Sequence, residues 1–101
     1  MLPVVTTPAA DRDIRRAHDW WSSNRPAAPR LFAEELAAAF DLLAASPLIG
    51  RSHRTRAVRG VRRILMRATR YHVYYVPEES RVVVLAVWGA VRVQRPRLRQ
   101  V

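Results

Sequence analysis

Apolar residues recur along this chain with two different periods, and the change from one to the other falls near residue 50. Ala10, Ile14, Ala17 and Trp21 are spaced four, three and four apart, the repeat that stacks side chains on one face of an α-helix. Phe32, Leu36, Ala39 and Leu43 follow the same spacing, with Phe40 widening the stripe and Glu34, Glu35 and Asp41 mostly on the other side. Ahead of both, Leu2 to Val5 reads as a short strand ended by Thr6, Thr7 and Pro8. Thr7 then suits the N-cap of the first helix, Pro8 its first helical position, and Asp11 and Asp13 the turn where the macrodipole favours anions. Ser22 to Pro26 breaks the pattern, and a second helix is expected from about Ala27 or Pro29 to Ala45. So short a connection predicts an antiparallel helix hairpin. Trp20 and Trp21 together exceed what one narrow stripe buries, so one of them is expected to pack at the helix end.

Beyond Ser46-Pro47 and Gly50 the helical period disappears. Arg51 to Arg59, with four arginines and His53, reads as a mobile loop with room for a short edge strand. Strands are expected at about Val61 to Arg67, Tyr71 to Val76 and Arg81 to Trp88, joined by turns at Ala68 to Arg70 and Pro77 to Ser80. Val82 to Val87 is apolar at every position, which predicts a central strand covered on both faces. The order is therefore strand, helix hairpin, three-stranded antiparallel meander. It predicts an α+β fold, two helices on one face of a small, mostly antiparallel sheet, as one domain over residues 1–101 with a basic tail from about residue 89.

Charge changes the picture of the second half. Residues 1–41 hold five arginines and six carboxylates, a balance of −1, whereas residues 42–101 hold thirteen arginines and two carboxylates, a balance of +11. A field of that sign attracts nucleic acid or acidic protein segments. Codon bias would explain why every basic residue is arginine, but not why the acids are missing. Cysteine is absent, which excludes a disulfide framework, a thiolate metal site and a thiol nucleophile. No apolar run approaches the ~18 residues of a membrane span, and the N-terminal residues lack the basic-then-apolar order of a signal peptide. A cytoplasmic protein without membrane contact is expected.

The familiar catalytic patterns are missing: there is no phosphate loop, no GxSxG elbow, no HExxH and no histidine cluster, so neither metal nor cofactor is expected. Glu34-Glu35 and Glu78-Glu79 are sequence neighbours that point apart, which suits neither pair to acid–base work. What remains is arginine beside aromatic rings. Arg59, Arg62, Arg63, Arg67 and Arg70 precede Tyr71, His72, Tyr74 and Tyr75. Guanidinium groups grip phosphates or carboxylates, and rings stack on bases. In a strand Arg63 and Arg67 share one face and Arg62 takes the other. For Tyr71, Val73 and Tyr75 the alternative is packing under the helices, and for His72 a strand histidine with no chemical role.

Several stretches also resemble the RelE/ParE superfamily of bacterial type II toxins, in order and over nearly the whole chain. They are VVTTPAADRDI at the start; Phe32-x-x-Glu35-Leu36 with Leu43, Pro47 and Gly50; Val61-Arg62-Arg63-Ile64; Tyr71-His72-Val73-Tyr74-Tyr75; and Val84 to Ala90 followed by Arg92. Two departures bear on function. Histidine stands at position 72 where the family often has arginine, and no tyrosine, histidine, lysine or carboxylate follows Glu79, although the ribonuclease branch is expected to use such a group near its C-terminus. The closing Trp88-Gly89-Ala90-x-Arg92 and Pro96 to Leu98 are more similar to the ParE branch, whose implied action is to bind and poison DNA gyrase.

That resemblance implies a toxin that binds rather than catalyses, neutralised in a hetero-oligomer by a cognate antitoxin with an acidic, amphipathic segment. Arg59, Arg62, Arg63, Arg67, Tyr74, Trp88, Arg92 and Arg95 would form the target- or antitoxin-binding surface. The alternative it implies is a ribosome-dependent mRNA endonuclease, in which Arg62, Arg63, Tyr71, His72 and Arg92 would be the catalytic set.

Overall fold

A strand that is apolar at every position can face water on neither side, and the architecture follows from covering it twice. The computed structural model describes residues 1–91 and 96–99. Its elements are β1 (Val4–Thr6), α1 (Pro8–Asn24), α2 (Leu31–Ala45), β2 (Arg51–Ser52), β3 (Arg62–Met66), β4 (Tyr71–Pro77) and β5 (Val82–Gly89). The strands form one five-stranded sheet in the order β1-β5-β4-β3-β2, with β1 parallel to β5 and every other pair antiparallel. The expected α+β class, helix hairpin and meander are all present. The fifth strand is β2, a two-residue edge inside the stretch expected as a loop.

Both helices lie on one face of the sheet. Trp21 of α1 and Phe32, Leu36 and Leu43 of α2 join Val73, Tyr75, Val82, Val84 and Val87 in the main core. Tyr71 packs against that core with its ring edge-on to Phe32, centroids 5.1 Å apart. Val58, Val61 and Leu98 cover the opposite face over Tyr74, Val83, Leu85 and Ala86. Strict alternation would put Ala86 on the helix side. A register shift prevents this, because Tyr74 pairs with Ala86 while Tyr75 pairs with Val84, leaving Leu85 as the extra residue of a bulge. Each valine or leucine so enclosed contributes about 1.5–3 kcal/mol relative to an exposed one.

The start of α1 forms as its sequence dictates. Thr7 Oγ1 accepts the Ala10 N–H at 3.1 Å, and Pro8 opens the helix. Asp13 does more than complement a dipole: where β1 has ended, its carboxylate accepts the Val87 N–H at 3.0 Å along β5. Of the two adjacent tryptophans, Trp21 is buried and Trp20 is exposed, meeting edge to face. The second helix begins later than expected, at Leu31. The Ala28 N–H donates to the Arg25 carbonyl and the Leu31 N–H to the Ala28 carbonyl, two tight turns that occupy the intervening residues. Pro29 also disfavours helical backbone at Ala28. None of the described helices is long and apolar enough to cross a membrane.

Glu35 reaches out of α2 to hold the β3–β4 turn. Its two oxygens accept the Ala68 N–H at 2.7 Å, the Thr69 N–H at 2.9 Å and the Thr69 hydroxyl at 2.6 Å. Burial pushes this carboxyl up, yet the three hydrogen bonds outweigh it and hold the group below its ordinary value. The same turn carries Arg70 in the left-handed region, φ 65°, its carbonyl accepting the Ala90 N–H at 2.7 Å. Glu35→Ala strands the turn's donors and is expected to lower stability by about 1–3 kcal/mol. A thermal melt of the soluble variant checks this, and a wild-type midpoint would show that the clamp contributes nothing.

Candidate functional site

The sequence-predicted arginines divide into two groups according to the face on which each strand position falls. Arg62 lies on the helix side, opposite Ser52 and Tyr75. Its guanidinium donates to the Leu48 carbonyl at 3.1 Å and to the Gly50 carbonyl at 2.7 Å. Gly50 in turn donates its N–H to the Tyr75 hydroxyl at 2.9 Å. A Cβ at Gly50 would stand 2.6 Å from that hydroxyl and 2.9 Å from the Arg63 carbonyl, so only glycine fits. Tyr75 is wholly enclosed, and burial pushes its phenol up although the Gly50 N–H and Arg62 favour the anion. Arg62 is therefore part of the knot that joins α2 to the sheet.

Arg63 takes the opposite face. It pairs with Arg51 across β2 and with Tyr74 across β4. Since β2 covers only Arg62 and Arg63, the outer edge of β3 is unpaired from Ile64 to Met66. There Arg51, Arg63, Arg67 and His72 gather with Leu42 and Ile49 around a cavity of ≈ 430 Å³. Arg59 is exposed on the loop that leads back into β3. Among the described strand residues of this open face there is no carboxylate.

His72 is half-buried and pairs with Leu65, with its ring edge-on to Tyr74 at 5.9 Å. Burial pushes its pKa down, and the charges of Arg63, Arg70 and His53 push the same way, so the imidazole is neutral at pH 7. A neutral ring among arginines can accept a proton, and other titratable rings stand near it: Tyr74, edge-on to it, and His53, edge-on to Tyr74 in turn.

One ring placement differs from the sequence expectation, and one follows the packing alternative given there. Tyr74, expected in the binding surface, is buried under Val58, Val61 and Leu98, with His53 edge-on at 4.9 Å. Tyr71, expected beside His72, lies on the helix side with Val73 and Tyr75, the packing alternative. Trp88 is half-buried at the end of β5 and pairs with His72. Arg92 and Arg95 lie outside the described residues. Arg51 belongs to the cluster and was legible only as one charge among four in a loop. Glu35 and Gly50 fall within the recurring stretches, but their partners lie 34 and 25 residues away in sequence, and no local spacing announces them.

A family profile described as the ParE toxin of the type II toxin-antitoxin system, parDE, matches residues 4–93. The chain belongs to the ParE toxin family. Among solved structures, a chain of the chromosomal ParDE system from P. aeruginosa is similar with a TM-score of 0.71 at 14% identity, covering 88% of this chain and 96% of that one. A chain of the RelBE2 toxin-antitoxin complex from Mycobacterium tuberculosis is similar with a TM-score of 0.61 at 27% identity, covering 89% and 95%. No curated protein matches the sequence. The profile spans every element from β1 to β5, so in this ParE-family chain the Arg62 knot and the basic β3 edge both lie within the matched residues.

The His72 environment yields a signed pH dependence. The folded-state pKa lies below the ordinary value near 6.5, so at mildly acid pH the unfolded chain binds more protons than the folded one. Stability contributed by the neutral ring is present above about pH 6.5 and is lost as pH falls from there through the lowered folded value. Thermal melts at pH 7.5 and pH 5.5 are expected to show a larger drop for the wild type than for His72→Gln; equal drops would contradict the stated environment.

Proposed function

We propose that the chain is the toxin of a type II toxin-antitoxin pair and acts by binding DNA gyrase through the basic β3 edge. Arg51, Arg59, Arg63 and Arg67 supply the grip, joined by Trp88 and by Arg92 and Arg95 of the tail. The observation that carries this reading is the family match over residues 4–93 together with the open face of the same sheet, rich in guanidinium and with no carboxylate among its described strand residues. Such a face is built to hold acidic or phosphate-bearing partners. The protein works in the cytoplasm, where its target would be.

The cognate antitoxin supplies an acidic, amphipathic segment that orders on binding and neutralises the same arginines. The two similar solved chains belong to a ParDE toxin-antitoxin system and a RelBE2 toxin-antitoxin complex, which supports a partner of that kind.

A second reading is favoured by one feature, the neutral His72 beside Arg63. In it the chain cuts mRNA on the ribosome, with Arg63 on the scissile phosphate and His72 moving the proton. Arg62 is poorly placed for that work because it is engaged with Leu48 and Gly50. Incubation of the purified protein with gyrase and supercoiled plasmid separates the two readings. Trapped, cleaved plasmid is expected, and Arg63→Glu/Arg67→Glu should abolish the trapping. No effect on gyrase, alongside cleavage of mRNA in an initiated ribosome complex, would replace the first reading with the second.

A further inference from the structure

All three tryptophans of the chain, Trp20, Trp21 and Trp88, line one cavity of ≈ 590 Å³ between α1, the β3–β4 turn and the end of β5. The cavity is separate from the β3 edge. Arg16, Arg25 and Arg70 reach it, and the one carboxylate among its described lining residues, Asp13, accepts the Val87 N–H and lies 3.8 Å from the Arg16 guanidinium. Three guanidiniums against one carboxylate leave its described lining net positive, and its volume lies in the range of small-molecule sites, ~300–1,000 Å³.

Two further observations describe what it lacks. Trp21 is 9% exposed, and its indole N–H, shut off from water, finds no acceptor among the described residues. Buried donors are almost always paired, so an orphan beside a cavity marks a place where an acceptor is missing. The Arg25 guanidinium also lies over both neighbouring indoles, 5.1 Å from the Trp20 ring centre and 5.7 Å from that of Trp21. An anion entering the cavity would draw Arg25 off those rings, uncovering aromatic faces and opening a way to the indole N–H.

We propose that this cavity is a nucleotide site. The phosphate is held by Arg16, Arg25 and Arg70, the base packs on the indole of Trp20, and an acceptor on the base edge takes the Trp21 N–H. An acidic peptide fits less well, because an aliphatic or phenyl anchor leaves that donor unpaired, whereas the edge of every base carries acceptors. A phosphate's charge of about −1.5 to −2 also matches three guanidiniums better than one carboxylate does. The same chemistry is presented by a free mononucleotide and by an unpaired nucleotide within a single strand. The site is independent of the gyrase reading and would add a ligand to it.

Intrinsic fluorescence reports the cavity directly, since every tryptophan lines it. The full chain is titrated at physiological salt with adenosine and guanosine monophosphates, a single-stranded hexanucleotide, inorganic phosphate and a short acidic peptide bearing phenylalanine. Saturable quenching by nucleotide is expected, at least about tenfold tighter than any effect of inorganic phosphate or peptide, and weakened about tenfold or more by Arg16→Gln/Arg70→Asn. Asparagine tolerates the left-handed backbone at position 70, so an unchanged melting midpoint would show that the variant is folded. Tighter binding of the mononucleotide identifies a free ligand, and tighter binding of the hexamer identifies a strand. Absence of saturation by any nucleotide at about 1 mM, equal binding of inorganic phosphate, tighter binding of the peptide, or unchanged affinity in the folded double variant would overturn the proposal.

Discussion

The double burial of β5 is the constraint on which the rest of the structure depends. From Val82 to Val87 no residue is more than 8% exposed, and no position offers a polar side chain to water. One cover is the helix hairpin. The other is assembled from Val58, Val61 and Leu98, so the loop before β3 and the tail after β5 are both drawn onto the second face. The bulge at Leu85 lets two consecutive residues point to that second face and gives it enough apolar surface to hold its cover. With β5 enclosed on both faces and flanked by β1 and β4, the edges of the sheet are β1 on one side and β2 with the uncovered end of β3 on the other, and at the latter the arginines collect.

This arrangement separates two uses of one residue type. Arg62 and Arg63 are neighbours in sequence and opposite in direction. The first hydrogen-bonds two carbonyls of the turn that closes α2 onto the sheet; the second stands with Arg51, Arg67 and His72 around an open cavity. The Arg62 guanidinium engages one nitrogen with carbonyls inside the fold and is held there, whereas Arg63 stands at the unpaired edge. The positive charge of the second half is thus partly architectural, and the number of arginines overstates the size of the gripping surface.

Much of this was legible without coordinates, where the signal was local. The helical stripes, the Thr7-Pro8 start of α1, the β-turn boundaries and the exclusion of a polar face from Val82 to Val87 follow from spacing and residue type alone. So did the opposite directions of Arg62 and Arg63. Features set by partners far along the chain were not legible. Glu35 looked like a solvated helix acid because nothing near it shows that the Ala68-Thr69 turn will arrive at its carboxylate. Tyr74 was correctly placed away from the helices, but its burial depends on Val58 and Leu98 folding over it from both directions. The bulge in β5 was invisible because an all-apolar strand has no polar residue to mark a change of face.

The division between a structural and a working arginine is tested most directly by measuring growth arrest and melting midpoint for Arg62→Met and Arg63→Met side by side. Arg63→Met is expected to melt within about 2 °C of the wild type and to lose growth arrest, as an edge substitution does when it removes only a contact to a partner. Arg62→Met is expected to melt several degrees lower, by roughly 4–8 °C for each kcal/mol lost in a domain of this size. An Arg63→Met protein that still arrests growth, or an Arg62→Met protein with the wild-type midpoint, would contradict it.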